Sequence, residues 1–395
     1  MNKKISAAVA SAALVLGAQS ANAGIIIPAG EWTLDVNGNV NVYASFYDYD
    51  DVQASTVGGG LAGTADASGE DRGQSINTGL LPAWLGFTGT TRQNDLDVSF
   101  TISMQPNVSD NDAASGDNKG PLWRQAFLTF GDKSWGTVKM GKDLGIFAGQ
   151  AILNDMTLLG VGSQSGGSGT SGAATSLGGI GTGYIYPAWK GQIAYTTPNF
   201  NGFTATVGIT NPNNNNSTTL NQDRFGLEAQ VQYAFDAGKV WVSGASYKAK
   251  TANAVEFDRE AIDVGAAINF GNLGLVAYYY SGDGAGTTVF GGSGATAAGA
   301  TRDSDGGYVQ ATYVIPSGTK LGVSYGVSKL DLAAGETAAN NTSLLDENTR
   351  WTVGAYHPLT KHLNLVAEYN HNEAEAHSNV ENTTNTISLG AILFF

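Results

Sequence analysis

The chain has no cysteine, so neither a disulfide nor a thiolate can hold it together or act in it. Charge is scarce too: 14% of residues are Asp, Glu, Lys or Arg, well below what a disordered polyampholyte carries. Basic residues are the rarer kind, 20 Lys and Arg against 34 Asp and Glu, and the net charge of -14 argues against a nucleic-acid partner. Long apolar runs are missing. After residue 23 no stretch supplies the roughly 18 uninterrupted apolar residues that a membrane helix needs, so a membrane location requires strands.

What is present begins with MNKKISAAVASAALVLGAQSANA. Lys3 and Lys4 precede an apolar run from Ile5 to Ala18, and Ala21-Asn22-Ala23 precedes Gly24, the layout of a secretory signal peptide cut after Ala23. The apolar run is too short and too rich in Ala for a membrane anchor. Removing Lys3 and Lys4 takes the net charge from -14 to about -16 (-14 minus 2), a sign that predicts a modest preference for cations over anions among permeating solutes.

From residue 24 onward, apolar residues recur at every second position. In LDVSFTISMQ, Leu96, Val98, Phe100, Ile102 and Met104 share one face and Asp97, Ser99, Thr101, Ser103 and Gln105 the other. That is strand periodicity. It recurs at 36–47, 81–90, 123–130, 135–142, 189–196, 203–210, 224–235, 240–249, 260–270, 273–280, 307–315, 320–329, 350–357, 363–371 and 384–395. With 96–105 this makes about 16 strands, an even number within the range of bacterial outer-membrane barrels.

Connections alternate as well. Short ones (91–95, 196–202, 236–239, 271–272, 316–319, 358–361) interleave with long polar ones (48–74, 106–122, 143–187, 211–223, 250–259, 281–306, 330–348, 372–383). Tight turns at one rim and long loops at the other mark an up-and-down barrel. All nine prolines fall at strand ends or in connections, where a missing N–H is tolerated. A soluble sandwich also alternates, but one of this length would need strands buried on both faces, whereas here Asn, Ser, Thr, Gln and Gly fill the second face.

Hydrocarbon offers no partner to backbone N–H and C=O groups, so strands can span a bilayer only as a closed barrel. Aromatic residues gather near strand ends, among them Tyr43, Phe46, Trp84, Trp135, Trp189, Trp241, Tyr278 to Tyr280, Trp351, Phe394 and Phe395. Such residues suit girdles at the two lipid–water boundaries. The last strand, NTISLGAILFF, puts Ile387, Leu389, Ala391, Leu393 and Phe395 on one face.

The stretches AWLGFTG (83–89), RQAFLTFGDKSWGTVKMGK (124–142), IAYTTPNFNGF (193–203) and the terminal SLGAILFF together resemble the general diffusion porins of Gram-negative proteobacteria. The resemblance implies an all-β, 16-stranded transmembrane barrel that assembles as a homotrimer in the outer membrane, each copy with its own aqueous pore. It also implies that the third long loop, 143–187, folds inward as a constriction, its acids facing arginines on the wall. Phe395 looks like the family's signal to the barrel-assembly machinery. Arg124 matches one family arginine, while Trp84 stands where a second is expected and Ala188 near a third, with Lys190 two residues on. Asp143 and Asp155 are the only acids of that loop, so its transverse field is expected to be weak.

Parity puts Asp97, Arg124, Lys139, Lys190 and Glu228 among the lumen candidates. His371 and His377, among several glutamates, are weak metal candidates. The acidic loops holding Asp48, Asp50, Asp66, Asp331, Glu336 and Glu347 are candidates for a structural calcium or magnesium shared with lipopolysaccharide. Gly167 to Gly172 has the spacing of a dinucleotide fingerprint, but no parallel strand precedes it. No nucleophile motif accompanies the four histidines, which excludes no chemistry outright but points to a channel rather than an enzyme. The expected function is passive diffusion of small hydrophilic solutes, with a substrate-specific channel and a non-conducting adhesin or anchor as the alternatives.

Overall fold

The structure is a computed structural model that describes residues 24–50, 56–66, 68–106, 122–164, 175–211, 224–251 and 255–395. The proposed signal peptide and the fingerprint-like 167–172 lie outside the described residues. One antiparallel sheet of 18 strands runs β1 (Ile25–Ala29), β2 (Trp32–Tyr49), β3 (Arg72–Asn77), β4 (Trp84–Gln93), β5 (Leu96–Gln105), β6 (Leu122–Asp132), β7 (Gly136–Leu144), β8 (Trp189–Thr196) and β9 (Phe203–Thr210). It continues through β10 (Gly226–Phe235), β11 (Gly238–Lys250), β12 (Glu256–Phe270), β13 (Leu273–Asp283), β14 (Asp303–Val314), β15 (Lys320–Leu330), β16 (Leu345–Pro358), β17 (Leu363–Ala376) and β18 (Glu381–Phe394).

β2 closes the sheet into a ring. One edge pairs with β18, from Thr384↔Tyr49 to Phe394↔Asn39, and below that with β1 through Ile25↔Val36 to Ala29↔Trp32. The other edge pairs with β3 above and β4 below. β1 with β18 and β3 with β4 thus each share one position, and 18 strands minus two gives a closed barrel of 16 positions.

Residues 78–83 leave the ladder between β3 and β4, and the backbone groups this frees are met from inside. Asn41 donates to the Leu81 carbonyl at 2.9 Å and accepts from Gly79 N at 2.8 Å, and Asn39 donates to the Pro82 carbonyl at 3.0 Å. Residues 78–83 are themselves buried, away from lipid, as hydrocarbon requires of irregular backbone.

The outward face is apolar. Ile387 (50% exposed), Leu389 (51%) and Leu393 (42%) alternate with Ser388, Gly390, Ile392 and Phe394, which face inward. Aromatic bands flank the apolar belt on the outside: Phe203 stacks on Tyr233 at 4.3 Å near the short-turn end, and Trp351 contacts Tyr369 at 5.0 Å near the long-loop end. Short turns such as Asn94–Asp95, both at positive φ, close the hairpins of one rim, the rim that faces the periplasm in such barrels.

Several expectations are corrected. Strands reach further toward the long-loop end than the alternation indicates, so the loop placed at 372–383 shrinks to residues 377–380 between β17 and β18. The barrel begins with the unforeseen hairpin β1–β2, and the third long loop runs from 145 to 188 because β7 extends through Leu144. Tyr43, Trp241, Tyr278, Tyr280 and Phe394 belong to no girdle: they point inward and are buried. The reason is that the inner wall there must cover apolar side chains of the loop.

Replacing Leu389 by Lys puts a charge on the lipid face, with an expected loss of about 2–4 kcal/mol if the site lies near the bilayer midplane. Equilibrium urea unfolding of the protein in lipid vesicles measures it; an unchanged midpoint would place this face in water.

Candidate functional site

Residues 145–164 and 175–188 turn back into the barrel. Helix α1 (Gly149–Asn154) and a 3-10 turn over Met156–Leu159 are joined at Asp155. One Asp155 oxygen accepts from Thr157 N at 2.9 Å, and the other from Gly179 N at 2.9 Å and the Tyr184 hydroxyl at 2.8 Å. Asp155 is buried and ties the two limbs of the loop together rather than facing the lumen water. Burial pushes the Tyr184 hydroxyl well above its ordinary pKa, and the neighbouring carboxylate adds to that, so the phenol stays a donor.

Inward side chains of the wall hold the loop by its backbone. Glu228 on β10 accepts from Ile146 N (2.6 Å) and Phe147 N (3.0 Å), and Asp263 on β12 accepts from Ala148 N (3.1 Å). Gln310 on β14 takes Met156 N at 2.6 Å, Glu368 on β17 takes Val161 N and Gly162 N at 2.8 and 2.9 Å, and Ser328 on β15 takes Gly183 N at 2.9 Å. Each buried amide would otherwise lack a partner. Close approach needs bare backbone: a Cβ at Gly160 would lie 1.9 Å from a Glu368 oxygen, and one at Gly326 2.0 Å from the Thr182 carbonyl.

Apolar contacts complete the docking. Phe147, Ile152, Ile180 and Ile185 pack on Trp241, Tyr278, Tyr280 and Tyr308, and Met156 and Val161 on Tyr43, Tyr356, Val366, Ile392 and Phe394. Other long loops fold inward: Tyr186 N of this segment bonds to the Thr288 carbonyl at 2.9 Å, and Leu61 N to Asn348 of the β16 wall at 3.0 Å. On β15–β18, inward Ser328, Asn348, Arg350, Thr352, Asn370 and Ser388 are consequently 0% exposed. Inward Thr88, Thr101, Thr129, Lys139, Thr196 and Thr206 keep partial exposure. Water therefore has its way through along β4–β9.

Of the sequence-derived site residues, the passage brings together only some. Lys139 pairs with Asp143 at 2.5 Å, and Gln125 donates to the same carboxylate at 3.1 Å. Lys190 faces inward but is buried with Glu228 at 2.6 Å, its neighbour Tyr247 also donating to that carboxylate, so this pair anchors the loop's root. Asp97 sits near the short-turn rim, clamped with Asp132 by Arg92 at 2.8 and 3.0 Å. Trp84 packs beside the Tyr43 cluster and reaches Asn37 at 3.4 Å.

Arg124 owes its place to a bulge. Gln125 pairs with Ser103 but Trp123 with Met104, which leaves Arg124 as the extra residue, its N–H on Gln105 at 3.1 Å. Strict alternation from lipid-facing Leu128 would turn it outward; the shift returns it to the inside, where its charge opposes the rise that burial imposes on the Tyr186 hydroxyl.

His371 and His377 are not brought together. His371 lies on the outer face of β17 against Trp351 (5.7 Å) with Nδ1 on Asn385, and His377 Nε2 meets the Leu330 carbonyl at 2.8 Å. The acids of the outer loops are likewise engaged locally: Asp66 accepts from Ser68 and Glu70 amides, Glu336 holds Arg302 and Glu347 holds Lys329. Asp263, Arg350 and Glu368 escaped the sequence reading. Their signal was parity, since each sits between outward apolar neighbours such as Ile262 with Val264, or beside Trp351.

Glu368→Ala leaves two loop amides and the Tyr356 hydroxyl without their acceptor, each lost partner costing about 1–3 kcal/mol. The expected outcome is a noisier open state in single-channel recordings and faster proteolysis within 145–188; recordings as quiet as wild type would show that the latch is dispensable.

A sequence model of the Gram-negative porins matches residues 10–377. No curated protein sequence matches the chain. Among solved structures, the outer membrane channel DcaP of Acinetobacter baumannii is similar at 16% identity and TM-score 0.70, over 94% of this chain and 100% of that one. An anion-selective porin from Comamonas acidovorans is similar at 16% identity and TM-score 0.65, over 92% and 100%. OmpT of Vibrio cholerae in a trimer form is similar at 16% identity and TM-score 0.58, over 92% and 99%. Those structures share the closed barrel. With the family matched across most of its length and its strands closed around a polar passage, this chain belongs to the Gram-negative porins, the channel proteins of the outer membrane that pass solutes by diffusion.

Proposed function

We propose that the protein is a general diffusion channel whose size limit is set by segment 145–188 against the wall of β4–β9. The observation that carries this is the docked loop: it fills the β10–β18 side of the lumen and leaves a passage lined by Thr, Ser, Gln and two ion pairs. Such a lining wets the passage without gripping one solute. Arg124 and Lys139 are its partly exposed charged groups near the loop, with Asp143 buried against Lys139; Lys190, Glu228 and Asp155 serve it indirectly by holding the loop.

The same reading covers biogenesis and assembly. Residues 1–23 direct export and are removed, and Phe395 is the address that the barrel-assembly machinery reads. Three copies associate through their apolar outer faces, with lipid and lipopolysaccharide around the rest. The protein performs no covalent chemistry.

Purified protein in a planar bilayer should give conductance steps, and proteoliposomes should take up small sugars at rates linear in concentration and falling with solute size. Saturation by one solute would make it a substrate-specific channel. Absence of steps would make it an adhesin or anchor. On a denaturing gel the oligomer should resist dissociation until heated; a monomer without heating would remove the trimer.

A further inference from the structure

Part of the negative charge behind the chain's net -14 lies away from the passage. On the outer face of β16–β18, Glu347 pairs across the strands with Glu375 and Glu375 with Glu381. Inward carboxylates, in contrast, are engaged. Asp143 and Glu228 hold lysines, Asp97 holds Arg92, and Asp263 and Glu368 hold amides of the docked loop. Asp35, low on β2, is an inward acid with an oxygen that finds no partner among the described residues.

Among the described residues several inward bases form no ion pair, Arg124, Arg259 and Arg350 included, and two of them, Lys239 and Lys320, stand at the short-turn end. Lys239 starts β11 and donates to Gln150 of α1 at 2.8 Å, its ammonium 5.8 Å from the Trp241 ring. Lys320 starts β15, its ammonium 4.8 Å from the Tyr356 ring. An amide oxygen and a ring face orient an ammonium without forming an ion pair with it, although Glu368, which accepts from the Tyr356 hydroxyl, opposes the Lys320 charge from nearby. Both strands rise from short turns, so both lysines stand at the periplasmic end, under the loop. Met156 packs over Gly322, the inward position next above Lys320, where a Cβ would lie 2.6 Å from its sulfur.

We infer that Lys239 and Lys320 set the charge preference of the passage and turn it toward small anions such as carboxylates and phosphates, against the sign of the chain's net charge. An ion in the passage responds to charges reached through water within a Debye length, about 8 Å at physiological salt. Glutamates on the outer face act across the wall on the lipid side, and the loop-holding acids are shut away from water. Arg124 adds to the two lysines above the loop, and Asp35 subtracts one charge below it. This inference rests on the channel reading above.

The test is the reversal potential across a planar bilayer under a KCl gradient. Wild type should reverse on the chloride side. Lys239→Gln and Lys320→Gln should each move the potential toward potassium, the double variant further, and Lys→Arg at either position should hold it. Glu375→Gln, which changes the net charge by one unit in the opposite direction, should leave it in place. Wild-type conductance in each variant shows that the barrel has assembled. A wild type reversing on the potassium side, lysine variants that do not move the potential, or an equal shift from Glu375→Gln each overturns the inference while the channel stands. A wild type without conducting steps removes the channel reading and this inference with it.

Discussion

Every backbone amide that meets hydrocarbon must find its partner within the sheet, and the architecture follows from that demand. A sheet with no free edge must close, closure fixes which face of each strand meets lipid, and everything hydrophilic is sent inward. The irregular parts of the barrel obey the same demand. Where β18 ends at Phe394, β1 takes over the edge of β2 below it. At the 78–83 interruption, Asn39 and Asn41 stand in for the missing ladder.

Inside, the rule changes. The lumen is wet, so a long segment can enter it, but only if its own amides are met as they leave water. The wall meets them with carboxylates: Glu228, Asp263 and Glu368 each take loop N–H groups, bonds stronger than neutral ones. The same acids that make the composition look cation-loving are thereby spent on architecture. Position and partner, rather than a count of charged residues, therefore bear on the field in the passage.

Much of the outer shape was legible in the sequence. LDVSFTISMQ reads as β5 residue for residue because one face meets lipid and the other water. Legibility fails where the inner face is also apolar, as in LGLVAYYY of β13, where Tyr278 and Tyr280 pack under the loop while Tyr279 faces lipid. Arg124 is turned inward by a bulge in the partner register, a cause that leaves no mark in composition. Residues such as Glu368 were hidden because their partners are backbone amides of a distant segment, which no local pattern encodes. His371 misled by its company of glutamates; its place on an outward strand face comes from β17 reaching Ala376 rather than ending in a loop.

The seam between β2 and β18 joins Ser45 to Ser388 at 2.8 Å, 343 residues apart along the chain. Until the last strand arrives, the growing sheet carries an open edge at each end and the ring cannot close. Translation and export therefore finish before the cylinder can exist, and the unsealed intermediate depends on escorts to keep it from adding strands of its neighbours.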